Sequence, residues 1–106
     1  MERTGMQTEY TLTLRFDEAC SALGIESRQV VKIVELGIIA PGGASPEDWR
    51  FDPGMISTAR RALRLRRDLH IDWSAVALVL DLLEERDRLQ QENAALAQRL
   101  SRFLSD

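Results

Sequence analysis

The run from Asp72 to Phe103, DWSAVALVLDLLEERDRLQQENAALAQRLSRF, constrains this chain more than any other feature. It contains no Gly or Pro and is dominated by Ala, Leu, Glu, Gln and Arg, all good helix formers, with Asp72 placed to cap the start. The pattern predicts one helix from Trp73 to about Leu104, roughly 48 Å long at 1.5 Å per residue. A compact domain of about 100 residues has a radius of gyration of only ~13 Å, so such a helix must overhang whatever it docks on.

Two apolar stripes run along it. Trp73, Val76, Leu80 and Leu83 recur at spacings of three and four, which predicts a face docked on the chain's own head. A second stripe is heptad-spaced, with Val79, Arg86, Asn93 and Leu100 at a and Leu82, Leu89, Leu96 and Phe103 at d. This predicts self-association through Leu82, Leu89, Asn93, Leu96, Leu100 and Phe103, because a head this small cannot cover so long a stripe. An Asn at a is a device that fixes register and oligomer state.

The 106 residues predict one structural domain in three segments: a loose tail at 1–9, a head at 10–71 and the long helix at 72–106. An apolar content of 44% and a charged content of 29% are those of a globular chain rather than a disordered one. MERTGMQTEY has no apolar core for a signal peptide, no run approaches a membrane span, and Cys20 has no partner for a disulfide. The expected location is the cytoplasm. Residues 1–58 hold five basic side chains against nine acidic ones, a local charge of −4, whereas 59–106 hold nine arginines against eight acids. An acidic N-terminal half is a poor surface for a polyanion.

Within the head, Thr11 to Phe16 alternates in polarity and predicts a short strand with Leu12, Leu14 and Phe16 on one side. Asp17 is positioned to cap a helix over 18–23, with Cys20 and Leu23 inward and Gly24 ending it. A second helix over 27–36 turns Val30, Ile33 and Val34 inward before Gly37. Two short helices about a Gly-containing turn form a helix-turn-helix unit. Pro41 to Pro46 is a loop, and Trp49-Arg50-Phe51 is placed to return as a strand against Leu12–Phe16, making a small two-stranded wing. Asp52-Pro53 starts a third helix with Ile56, Ala59, Leu63 and Leu69 inward and Arg60, Arg61, Arg64 and Arg67 outward. Those arginines are expected to form a solvated face paired with Asp68, Glu84 or Glu85, with phosphate contact or protein contact as the alternatives, and Glu84 is expected to pair with Arg88. Trp49 and Trp73 are expected in the core, with a role as partner anchors the alternative.

Catalysis has little to work with. His70 and Cys20 are the only residues of their kinds and lie in different elements; Cys20 is expected as a small core residue and His70 as a surface or capping one. Gly42-Gly43 is a turn rather than a phosphate cradle, and no Cys/His spacing suits a metal. No enzyme activity, catalytic residue, cofactor or metal is expected.

The order of elements resembles the MerR-type winged helix-turn-helix regulators, and FDEACSALGI, ELGIIAP and WRFD look like that family's helix-turn-helix and wing. The resemblance implies a mainly α fold: a winged helix-turn-helix head with a two-stranded wing and a long C-terminal coiled-coil helix. The pairing direction stays open, since Asn93 favours parallel strands and the MerR plan antiparallel ones. The sequence departs from that family where DNA is read: Val31, Lys32 and Ile33 stand at positions usually held by an arginine and aromatic residues. A closer resemblance is to the CbpM chaperone modulators, carried by RRALRLRRDLHIDW and the zipper RLQQENAALAQRLSRF and extending from about Tyr10 to Phe103. It implies binding to the J-domain of CbpA, a DnaJ-like co-chaperone, and inhibition of its action toward Hsp70. The J-domain engages Hsp70 through a basic helical surface. By charge and exposure, the expected contacts are Asp81, Glu84 and Glu85, with Glu18, Glu26 and Glu35 second. A MerR-type DNA-binding regulator is the alternative, with DNA binding disfavoured, and a coiled-coil scaffold is a third reading.

Overall fold

A computed structural model describes residues 13–105. Four α-helices form the described chain: α1 (Phe16–Leu23), α2 (Ser27–Glu35), α3 (Pro53–Leu69) and α4 (Trp73–Ser105), with a 3-10 turn at Pro46–Asp48. The N-terminal tail expected at 1–9 lies outside the described residues, as do Thr11 and Leu12 of the expected strand.

Local chemistry sets most boundaries. α1 begins at Phe16, earlier than the Asp17 cap predicts, because Glu18 reaches back to accept the Arg15 backbone N–H at 2.8 Å. It ends at Gly24, whose φ of 69° is a left-handed conformation that costs glycine little. Asp52 Oδ1 accepts the Met55 N–H at 2.8 Å to start α3, and Asp72 Oδ1 accepts the Ala75 N–H at 2.9 Å to start α4. His70 caps the end of α3 at φ 55°, its N–H bonded to the Arg66 carbonyl.

The expected two-stranded wing is absent among the described residues. In its place are two isolated antiparallel bridges, Leu14 with Phe51 and Gly42 with Arg50. Leu14 and Phe51 exchange both backbone hydrogen bonds at 2.8 Å, yet neither side can extend. Phe16 is already helical, Asp52 and Pro53 open α3, and the 3-10 turn ends just before Trp49. The remaining Trp49–Phe51 stub is too short for a ladder. Its side chains still pack: Trp49 meets Phe16 and Phe51 edge to face at 5.6 and 6.2 Å.

The core joins Ala19 of α1, Val30 and Ile33 of α2, Ile39 and Phe51 of the segment before α3, Ile56, Ala59 and Ala62 of α3, and Trp73 and Val76 of α4. The expected inward residues Cys20, Leu23, Val34 and Leu63 are partly buried around it. Leu69 is a correction: it is 52% exposed, because α3 ends there and has left the head behind. Arg66 lies over the Trp73 ring at 5.1 Å and clasps the α3–α4 turn. Ile33 is fully buried, so Ile33→Ala should lower unfolding free energy by ~2–5 kcal/mol in urea titration.

The α4 helix holds 33 residues, about 50 Å of helix, and the radius of gyration is 18.6 Å. Its buried and half-buried residues all lie in its first third. Trp73 and Val76 are buried and Leu80 and Leu83 half-buried, as the first stripe predicts. Beyond them the helix projects free of the head.

Candidate functional site

Two surfaces stand out, both organised by α4. The first is a groove of about 160 Å³ where α4 passes the turn after α2. Leu36, Ile38, Ala77 and Leu80 give it apolar walls, and Asp81, Glu84 and Asp87 form an acidic edge with Arg61 opposite. The three carboxylates recur every third residue along one side of α4, and no ion pair engages them with Arg61 or with one another's neighbours except the exposed Arg86–Asp87 contact at 3.2 Å. Among the described residues Asp81 and Glu84 have no ion-pair partner.

Of the six expected contacts, the structure brings only Asp81 and Glu84 together in this groove. Glu85 lies on the other flank, held by Arg88, which also pairs with Glu92. That corrects the expected Glu84–Arg88 pair: Arg88 takes the glutamates three residues before and four after it. The Arg88 side-chain hydrogen bond, reinforced by its charge, lowers the Glu85 carboxyl below its ordinary value. Glu26 is paired with Arg28 at 2.8 Å, Glu35 stands exposed at the end of α2, and Glu18 is occupied in capping α1.

The Arg15 backbone N–H, more than any other group, holds the Glu18 carboxyl below its ordinary value of 4.5. A carboxyl lowered by folding contributes stability that is present above the unfolded value and lost as pH falls through the folded one. Glu18→Ala should therefore lower the melting temperature at neutral pH, and the gap from the unmutated protein should close in acid.

Asp87 and the Leu36–Ile38 turn escaped the sequence reading. Asp87 had a signal, the spacing of three that continues from Asp81 and Glu84. The turn had none, since its place beside α4 is a product of packing.

The second surface is the apolar stripe beyond the head. At 100° per residue Leu78 lies about 200° round the helix from buried Val76, so the stripe faces away from the head. Leu78, Leu82, Leu89, Leu96, Leu100, Phe103 and Leu104 are all 50–77% exposed. Leu82, Leu89, Asn93 and Leu96 line one continuous shallow trough, and Leu100 and Leu104 a second.

No group of three or more His, Cys, Asp or Glu suited to a metal occurs among the described residues, and none of their helices is long and apolar enough to cross a membrane. Burial, with help from the Asp17 charge, raises the Cys20 thiol above its ordinary value.

With this geometry in view, residues 14–98 match the model of the MerR HTH family regulatory proteins. Proteins of Salmonella paratyphi B, Salmonella newport and Salmonella heidelberg are each 45% identical over 95 residues, spanning 90% of this chain and 94% of theirs. Each is named chaperone modulatory protein CbpM. The chain belongs to the CbpM family. That name is not one of an enzyme family. The described head of this CbpM-family chain keeps the helix-turn-helix as α1 and α2 but replaces the wing with two bridges.

Proposed function

We propose that this CbpM-family protein is a cytoplasmic chaperone modulator that binds the J-domain of a DnaJ-like, CbpA-type co-chaperone and inhibits its activity toward Hsp70. The observation that carries the reading is the 45% identity to proteins named chaperone modulatory protein CbpM across nearly the full length of both chains. Charge supports it: a basic helix meets complementary potential at the Asp81, Glu84 and Asp87 edge, with Leu36 and Leu80 to receive its apolar stems. Asp81 and Glu84 are the leading contacts. Glu85, Glu18, Glu26 and Glu35 rank below them, since three of the four already have intramolecular partners.

Inhibition on this reading is occlusion. A J-domain whose basic helix is covered cannot present it to Hsp70, and no bond is made or broken. The exposed heptad stripe supports a homodimer, which would carry two such surfaces. The full-length protein should suppress the J-domain's stimulation of Hsp70 ATPase while leaving basal ATPase unchanged. An undiminished stimulated rate at saturating protein would refute the reading. Tight, sequence-specific duplex binding at physiological salt would instead favour the MerR-type regulator, since specific sites reach about 10⁻⁸ M or tighter.

A further inference from the structure

On the side of α3 facing α1 lies a groove of about 450 Å³ floored by Leu14, Pro53 and Ile56 and edged by Arg60, Arg61 and Arg64. Two of the partners expected for these arginines are engaged elsewhere, and Glu84 shares the α4 groove with Arg61 without an ion pair. Asp68 pairs with Arg67 at 3.5 Å, Glu85 with Arg88, and no ion pair reaches Arg60, Arg61 or Arg64 among the described residues. Arg60 is oriented by donating to the Ala22 carbonyl at 3.2 Å, and its other N–H groups remain available. Arg60 and Arg64 stand one turn apart, about 6 Å along the helix, where like charges repel until an anion is bound between them.

We infer that this α1–α3 groove is a docking site for an acidic segment of a protein partner, one that sets carboxylates a helical turn apart beside an apolar side chain. Arginine forks match carboxylates in geometry as well as charge, which lysines would not. The apolar floor selects a peptide over a nucleic acid, because a sugar–phosphate chain offers nothing to fill it. Asp17 and Glu18 stand on α1, which borders the groove, and oppose any anion, so the occupant must be short enough to keep its carboxylates at the arginine edge, which an extended polyanion cannot do. The site differs in sign from the acidic α4 groove, although Arg61 borders both, and a basic helix would be repelled here.

The test uses the full-length protein and a rhodamine-labelled synthetic peptide in which Glu and Leu recur at i, i+4 spacing. A control peptide carries Gln for Glu, and a second probe is a labelled random DNA duplex. Fluorescence anisotropy should show saturable binding of the acidic peptide that weakens as salt rises. Arg60→Gln with Arg64→Gln should weaken it at least about tenfold, the loss expected of two charge-assisted contacts. Ser57→Trp should block it too, by filling the groove without changing charge. Circular dichroism checks that both variants keep the helical fold. The proposal is overturned if the acidic peptide does not bind, or if it binds no better than the Gln control. It is equally overturned if folded Arg60/Arg64 and Ser57 variants bind it unchanged, which would place the peptide on the α4 leucine stripe. Duplex binding tighter than peptide binding and dependent on Arg60 and Arg64 would assign the groove to nucleic acid. Loss of self-association in the arginine variants without peptide binding would assign it to a second copy of the chain.

Discussion

Leu96→Asp should leave the protein monomeric in light scattering at concentrations where the unmutated chain is dimeric. Leu96 is 59% exposed in the single chain, so the carboxylate costs nothing there. In a paired coil it would sit in a d layer, and each copy would bury an unpaired charge. A broken buried pair costs about 3–5 kcal/mol for the charge it strands, and two such charges would lower the association constant by well over a hundredfold. The head should be untouched, because the stripe lies on the opposite side of α4 from Trp73 and Val76 and well beyond them. Helix content and the head's melting transition should therefore persist in the monomer, with fraying confined to the far half of α4. A monomeric unmutated protein at micromolar concentration would contradict the pairing itself.

The long helix was the most legible element, because its two stripes and its lack of breakers act over many turns. Its start at Trp73 and the burial of Val76 follow from the sequence alone. The helix-turn-helix was readable for a similar reason: Gly24 and the apolar spacing in α2 are local signals. The wing was not. Alternation around Leu14 and Phe51 is real, and their two hydrogen bonds form. Strand length, however, is decided by competition with the Glu18 and Asp52 caps, which draw the neighbouring residues into helices. The same limit applies to the acidic surface. Charge and exposure selected six carboxylates without saying which share a face. Glu84 and Glu85 are adjacent in sequence, yet one edges the groove and the other turns to Arg88. The arginines of α3 were expected to be neutralised within the chain. Among the described residues three have no ion pair, because Asp68 pairs with Arg67 and Glu85 with Arg88, and Glu84 shares a groove with Arg61 without pairing to it.

Reversing Asp81 and Glu84 together to Lys should abolish partner binding, whereas reversing Glu85 alone should cost little. The first change turns the groove edge from attraction to repulsion at two points beside apolar walls. A single exposed pair is worth only about 0–1 kcal/mol, but adjacent reversals that also oppose encounter should exceed that several-fold. Glu85 is already satisfied by Arg88, so its replacement mainly frees Arg88 for Glu92. Both variants should fold and self-associate as before, since all three positions are exposed and none is an a or d residue.

Isothermal titration calorimetry of the full-length protein against an isolated J-domain from a CbpA-type co-chaperone tests the central claim most directly. The account predicts saturable heat with the unmutated protein, weaker binding as salt rises, and no heat with the Asp81→Lys, Glu84→Lys double variant. No heat with the folded, unmutated protein would contradict it.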